Sequence, residues 1–244
     1  MIIDCHVHMN STLAIKDDYH PEAILREMDR YHIDQAIVFP RFADAPDNKG
    51  LSEIVKQHSD RLIGFAWINP HLGRLALEEL DRAVDDWGMK GVKLHPLLHA
   101  YFPQNPDLRR LFDHIAQRNV PVTIHSGHAP FSLPSQIAWL ARDYPNVRII
   151  MDHMGMQMGY VDEAIEYARM YPNLYLGTTA MPFHKKIAQA VSVIGSSRVM
   201  YGSDAPVIHP LVEMERVKVA GLSEQDEAMV LGGTVEKLLG EYHV

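Results

Sequence analysis

Cysteine is nearly absent: Cys5 is the only one in 244 residues. A single thiol excludes an intrachain disulfide framework and a zinc site built from several thiolates. No uninterrupted apolar run approaches the roughly 18 residues of a membrane-spanning helix. Basic charge is not in excess either, since 23 Lys and Arg against 31 Asp and Glu give a net charge of −8. That argues against nonspecific binding to nucleic acid or an anionic membrane, which needs a basic footprint. A local basic pocket remains compatible with it. No G-x-G-x-x-G turn follows the first apolar run, which weakens a dinucleotide-binding reading. No linker, low-complexity tract or composition shift divides the chain. The opening residues lack a basic segment followed by an apolar run, so the expectation is a soluble cytoplasmic protein. The expected partner is a small-molecule substrate, with a homo-oligomer left open.

What is present is enough for a full core, with 47% hydrophobic and 22% charged residues. The length suits one large α/β barrel. Short apolar or β-branched runs begin near Ile2, Asp34, Leu62, Lys90, Val120, Val147, Leu174 and Arg198. Their spacing of roughly 28 residues is that of a strand-plus-helix unit. Helical periodicity lies between them, over Glu22–Tyr31, Leu75–Trp87, Leu108–Arg118, Gln136–Tyr144, Asp162–Tyr171 and Lys185–Ile194. A capping pattern at Ser223 opens a last helix running to Leu239. Alternating strands and helices imply a parallel sheet covered on both faces. The predicted fold is α/β, a single (β/α)8 TIM barrel over residues 1–244 with an extra C-terminal helix. An open doubly wound sheet is the runner-up.

The strands are apolar until their last residues. The first ends in His6-Val7-His8, the fourth in Lys93-Leu94-His95, the fifth in His125-Ser126-Gly127. The sixth ends in Asp152-His153-Met154-Gly155 and the eighth in Gly202-Ser203-Asp204. In a barrel these ends surround one mouth, where active sites form. Strand positions i and i+2 share a face, so His6 pairs with His8 and Lys93 with His95. Imidazoles plus a carboxylate suit Zn²⁺, and also Fe²⁺ or Mn²⁺. H-x-H alone says little. With 15 histidines in the chain, chance supplies about one such pair. Its weight comes from its place beside the other strand ends.

Five blocks in register carry a resemblance. They are Ile3-Asp4-Cys5-His6-Val7-His8, Gly91-Val92-Lys93-Leu94-His95-Pro96, Val120 to Gly127, Asp152 to Gly155, and Tyr201-Gly202-Ser203-Asp204-Ala205-Pro206. Together they resemble the amidohydrolase superfamily, in its compact branch of metal-dependent hydrolases and decarboxylases. The stretch Leu231 to Leu239 looks like that family's closing helix, with Thr234 where asparagine is usual. The resemblance implies one divalent metal, Zn first and Mn or Fe next. It assigns His6, His8, His125 and Asp204 as ligands. It makes His153 the group that activates water, with Asp204 able both to ligate and to accept a proton. Two-metal relatives bridge their ions with a carboxylated lysine from the fourth strand. Lys93 stands at that place, read here as an uncarboxylated residue that binds substrate or pairs with a carboxylate.

Other readings come from the residues themselves. Asp204 could also cap a following helix, and Ser-Asp-Ala-Pro suits that role. Arg41 follows the second strand and could clamp a substrate carboxylate by a bidentate contact. His95 is expected at the mouth beside Lys93. Asp152 is read as pointing away from His153, as a structural partner. Cys5 is read as alternating away from His6 and His8, a small buried hydrophobe. Substrate choice falls to the loops Arg41 to Gly50 and Pro96 to Pro106. The leading function is a metal-dependent hydrolase in which water attacks an ester, lactone or amide carbonyl. Nonoxidative decarboxylation of a small unsaturated or aromatic acid uses the same ligands. A metal-free binding or structural barrel is the third reading.

Overall fold

Parallel strands that are apolar on both faces need cover on both. The protein, described here by a computed structural model over residues 1–41 and 46–240, meets that need by rolling its sheet. The strands are β1 (Ile3–Met9), β2 (Gln35–Pro40), β3 (Leu62–Trp67), β4 (Gly91–Leu94), β5 (Val122–Ile124), β6 (Ile149–Met151), β7 (Leu174–Gly177) and β8 (Val199–Met200). They lie side by side in chain order. Cys5 N–H donates to Tyr201 O at 3.0 Å and His8 N–H to Ala205 O at 2.8 Å, which joins β1 to the chain around β8.

Helices α1 (Pro21–Arg30), α2 (Asn48–Gln57), α3 (Arg74–Asp81), α4 (Asp107–Arg118), α5 (Pro134–Asp143), α6 (Met158–Met170), α7 (His184–Ile194) and α8 (Pro210–Lys218) follow the strands in turn. Then α9 (Glu224–Ala228) and α10 (Thr234–Gly240), joined by a π-helical turn, make the extra C-terminal helix. The expected (β/α)8 architecture is the fold. Side chains cap some of the helix starts: the His20 side chain accepts from Glu22 N–H before α1, and Ser223 accepts from Asp226 N–H before α9.

Two helices escaped the periodicity. In α2 the buried face mixes Leu51 and Ile54 with Asn48 and Ser52. In α8 a buried acid, Glu213, stands among Met214 and Val217. Polar groups inside an apolar stripe hide its period. The expected helix over Leu75–Trp87 also differs, since α3 stops at Asp81 and continues as a π-helical turn over Arg82–Asp86.

Side chains pack in two shells. Outside the sheet, Val38, Ala66, Val92 and Leu176 meet the helices through Leu51, Leu80, Phe112 and Ile187. Inside, Ile3, Cys5, Ile37, Phe39, Phe65, Trp67, Ile150 and Met200 form a second cluster with Val235 and Leu238 of α10. Each fully buried large apolar side chain contributes about 1.5–3 kcal/mol. The inner shell is tight around Phe65. A Cβ on Gly91 would stand 2.4 Å from the Phe65 ring. Gly91→Ala is therefore expected to destabilise the fold by about 1–3 kcal/mol through overpacking. Urea unfolding checks this, and an unchanged midpoint would disprove the close packing of Gly91 on Phe65.

One irregularity in β1 shapes everything above it. Its register against β2 shifts between Asp4 and Val7. Ile3 and Cys5 belong to the inner cluster, whereas Val7 and Met9 belong to the outer one. The alternation thus reverses between Cys5 and His6, as a bulge allows. This corrects the expectation for Cys5, which shares the barrel interior with His6 while remaining buried at 2% exposure.

Candidate metal centre and active site

Two interior histidines on one strand point at a common place. His6 Nε2 lies 3.0 Å from His8 Nε2. Asp204 Oδ1 lies 3.3 Å from each of them. Asp204 arrives there because it follows β8 with a left-handed φ of 65° and its N–H donates to His6 O at 2.9 Å. Asp4 fastens the same corner, its Oδ1 accepting the N–H groups of His6 at 3.1 Å and Ser203 at 2.9 Å. Three electron-rich atoms this close call for a proton or a cation among them. Tetrahedral coordination with bonds of about 2.0–2.1 Å sets neighbouring donors about 3.3 Å apart. His6, His8 and Asp204 fit a divalent metal on that measure, and they form one of the compact His and Asp groups among the described residues.

The second compact group is His6, Asp152 and His153. Asp152 Oδ2 lies 2.5 Å from His6 Nδ1, 2.8 Å from Lys93 Nζ and 3.3 Å from His153 Nε2. The sequence reading sent Asp152 away from His153, and the structure corrects it. Asp152 continues the inward parity of Ile150 at the end of β6. The strand then stops, and His153 adopts φ 60°, ψ 1°, which turns its ring inward as well. Gly177 makes room opposite, where a Cβ would stand 3.2 Å from Asp152 Oδ1. The His153 ring is held from its other nitrogen, with Nδ1 3.1 Å from the Thr179 carbonyl oxygen.

Burial and charge set the protonation states. Burial pushes His8 down to about 4. Burial, then the charge of Lys93, pushes His95 down to about 2. Burial raises the Asp152 carboxyl, but His153, His6 and Lys93 together hold it well below the usual carboxylate range. Burial likewise opposes ionisation of Asp204, and hydrogen bonds from His6 and His8 outweigh it. A neutral imidazole at His8 and an ionised Asp204 are the forms in which these groups bind metal.

The remaining predicted residues fall in three places. Lys93 is fully buried and engaged by Asp152, with its Nζ 4.9 Å from the centre of the Phe39 ring. His95 and His125 stack at 3.9 Å between ring centres, in a row that runs from Trp67 through both to His128. His125 is outside both compact groups, and its Nε2 lies 2.9 Å from His128 Nδ1. Arg41 is exposed at the rim, bonded to Asp17 at 2.7 Å and lying over Tyr19 at 4.2 Å. Residues 42–45 of the loop Arg41 to Gly50 lie outside the described residues. Sequence reasoning gave Thr179, whose carbonyl meets His153, no place near this site, because it carries no pattern that distinguishes it in one dimension.

The sequence profile of a family described as amidohydrolase matches residues 3–240. The chain belongs to the amidohydrolase family. Solved structures agree on the barrel. An uncharacterized TIM-barrel protein from Bordetella bronchiseptica superimposes with a TM-score of 0.86 at 18% identity, covering 100% of this chain and 99% of that one. A 2,6-dihydroxybenzoate decarboxylase from Rhizobium gives 0.76 at 17% identity, covering 98% of each chain. A dihydroxybenzoic acid decarboxylase from Polaromonas sp. JS666, with bound manganese and the inhibitor 2-nitroresorcinol, gives 0.75 at 18% identity, covering 100% and 98%. No curated protein matches the chain. No helix among the described residues of this amidohydrolase-family barrel is long and apolar enough to cross a membrane.

Proposed function

We propose that the protein is a metal-dependent hydrolase acting on the carbonyl of a small-molecule ester, lactone or amide. His6, His8 and Asp204 would hold one divalent ion, with His125 as a further ligand and Zn²⁺, Mn²⁺ or Fe²⁺ as the ion. Such an ion supplies Lewis acidity towards a carbonyl and lowers the pKa of water. The observation that carries the reading is the setting of His153. Its Nδ1 faces the Thr179 carbonyl, so the ring proton sits on Nδ1 and the lone pair on Nε2. A proton taken from water at Nε2 arrives 3.3 Å from the Asp152 carboxylate, which stabilises the imidazolium. The same Nε2 then returns the proton to the leaving group. Asp204, ionised beside His6 and His8, is the second proton acceptor. Lys93 neutralises Asp152 and so keeps the buried charge balanced.

His153→Asn is expected to lower turnover by about 10²–10⁴-fold while metal per chain stays as in the wild type. Steady-state rates and mass-spectrometric metal analysis read the two quantities. Loss of metal in this variant would make His153 a ligand instead of the base.

One observation favours a second reading. The flat row of Trp67, His95, His125 and His128 suits a planar acid, and Arg41 at the rim suits its carboxylate. Two of the superimposed relatives are hydroxybenzoate decarboxylases. Turnover in H₂¹⁸O separates the two reactions. Hydrolysis places ¹⁸O in the product, whereas decarboxylation releases CO₂ with no net addition of water.

A further inference from the structure

His153 owes its direction to a backbone turn that L side chains rarely adopt. His153 has φ 60° and Met154 φ 49°, and Gly155 follows at φ 79°. Consecutive left-handed residues persist only where their surroundings impose them. On one side those surroundings are the end of β5. Ser126 follows that strand and is 0% exposed. Its hydroxyl donates to the Asp152 carbonyl oxygen. The same Oγ accepts the Gly155 N–H at 2.9 Å. One side-chain oxygen thus bridges the first and last residues of the turn Asp152–Gly155. The next residue, Gly127, lies flat against it, since a Cβ there would stand 2.6 Å from the Gly155 carbonyl oxygen.

The bridge spans both groups of the proposed proton transfer. Asp152 Oδ1 accepts the His153 N–H at 3.1 Å, and Asp152 Oδ2 lies 3.3 Å from His153 Nε2. The other ring nitrogen meets the Thr179 carbonyl at 3.1 Å. Thr179 belongs to the chain beyond β7, so the ring reaches it only while the turn stays wound. A change of φ at His153 swings the whole imidazole away from that carbonyl. Both hydrogen bonds of Ser126 go to backbone groups, so it acts on the imidazole through the turn. A hydroxyl suits the place because it donates and accepts at once. Alanine would take a partner from a buried carbonyl and a buried N–H together.

We propose that Ser126 is a positioning residue for His153, clamping the Asp152–Gly155 turn so that Nδ1 stays on the Thr179 carbonyl and Nε2 stays beside Asp152. The inference rests on the reading of His153 as the proton acceptor. Partners of this kind are worth roughly 10–100-fold in metal sites. Ser132 supplies a matched control. It is also 0% exposed, and its hydroxyl donates to His128 O at 2.9 Å and accepts the His128 N–H at 3.1 Å. Ser132→Ala therefore removes the same group and two bonds of the same kind, from a different loop.

The experiment is ¹⁵N-histidine NMR on the full chain loaded with Zn²⁺, with the His153 signal assigned by its loss in His153→Asn. The Nδ1-bound proton of His153 should exchange with water about tenfold faster in Ser126→Ala and at the wild-type rate in Ser132→Ala. Turnover of p-nitrophenyl acetate, an ester probe, should fall about tenfold in Ser126→Ala with KM unchanged. A merely structural hydroxyl would move the unfolding midpoint and leave the Nδ1 proton alone. An unchanged Nδ1 proton in Ser126→Ala, or equal changes in both variants, overturns the proposal. Should Ser126→Ala fail to fold, the wild type decides, because a Gly155 amide unprotected from exchange also overturns it. The nitrogen signals decide the positioning whether or not the ester is turned over. A changed Nδ1 proton with unchanged turnover supports the positioning and removes His153 from the chemistry.

Discussion

Asp204→Asn is expected to cut turnover by about 10²–10⁴-fold and to strip the divalent metal from the protein. The substitution keeps the size of the side chain and removes its charge. What remains facing His6 Nε2 and His8 Nε2 at 3.3 Å is a neutral amide, a far poorer partner for a divalent ion than a carboxylate. The second proton acceptor is lost in the same step. Metal per chain on gently purified protein, measured beside initial rates, reads both effects. His125→Ala belongs in the same panel, because His125 stacks on His95 and stands outside the compact donor group that it is proposed to complete. About one metal per chain in the wild type, reduced in both variants, is the expected pattern. About two per chain would promote Lys93 to a carboxylated bridge. An Asp204→Asn protein that keeps its metal and its rate would falsify the assigned donor set. So would a wild type that binds none of Zn²⁺, Mn²⁺ and Fe²⁺.

Asp152→Ala should be the most destabilising change in the barrel interior. It leaves Lys93 buried with its counter-ion gone, and removing one member of a buried pair costs about 3–5 kcal/mol. Lys93 Nζ lies 2.8 Å from Asp152 Oδ2, both side chains being 0–1% exposed. Water cannot replace the lost carboxylate without opening the barrel. The double variant Lys93→Met with Asp152→Leu removes both charges and should recover most of that loss. Urea unfolding of the metal-free proteins measures the difference. Equal losses in the single and double variants would mean that the pair contributes through shape and not through charge. The pairing also bears on the lysine itself. A carbamate on Lys93 would place a second anion against Asp152, which favours the ammonium form.

Much of the site was legible because strand ends are marked in sequence. An apolar run that finishes in histidine or aspartate has few reasons to do so except at a barrel mouth. His6, His8 and Asp204 are 198 positions apart at their widest and still meet within 3.3 Å. The two errors about strand faces share one cause. Strict alternation along a strand was applied where the strand is irregular or already over. The bulge in β1 puts Cys5 and His6 on one side. The left-handed turn after β6 brings both Asp152 and His153 inward. Helices α2 and α8 were missed because buried polar residues, Asn48 and Glu213 among them, interrupt the apolar stripe.

The sequence by itself determined the barrel, its closing helix, and which residues stand at the ends of the strands. Period and spacing are local properties, and eight repeats of them leave few ways to bury both faces of a sheet. Only the tertiary structure decided which of those residues face one another. The contact of Asp152 with His6, Lys93 and His153 depends on a bulge, a left-handed turn and the small residue Gly177 opposite. Each is a fraction of an ångström or one dihedral angle in size, and each is fixed by packing from distant parts of the chain.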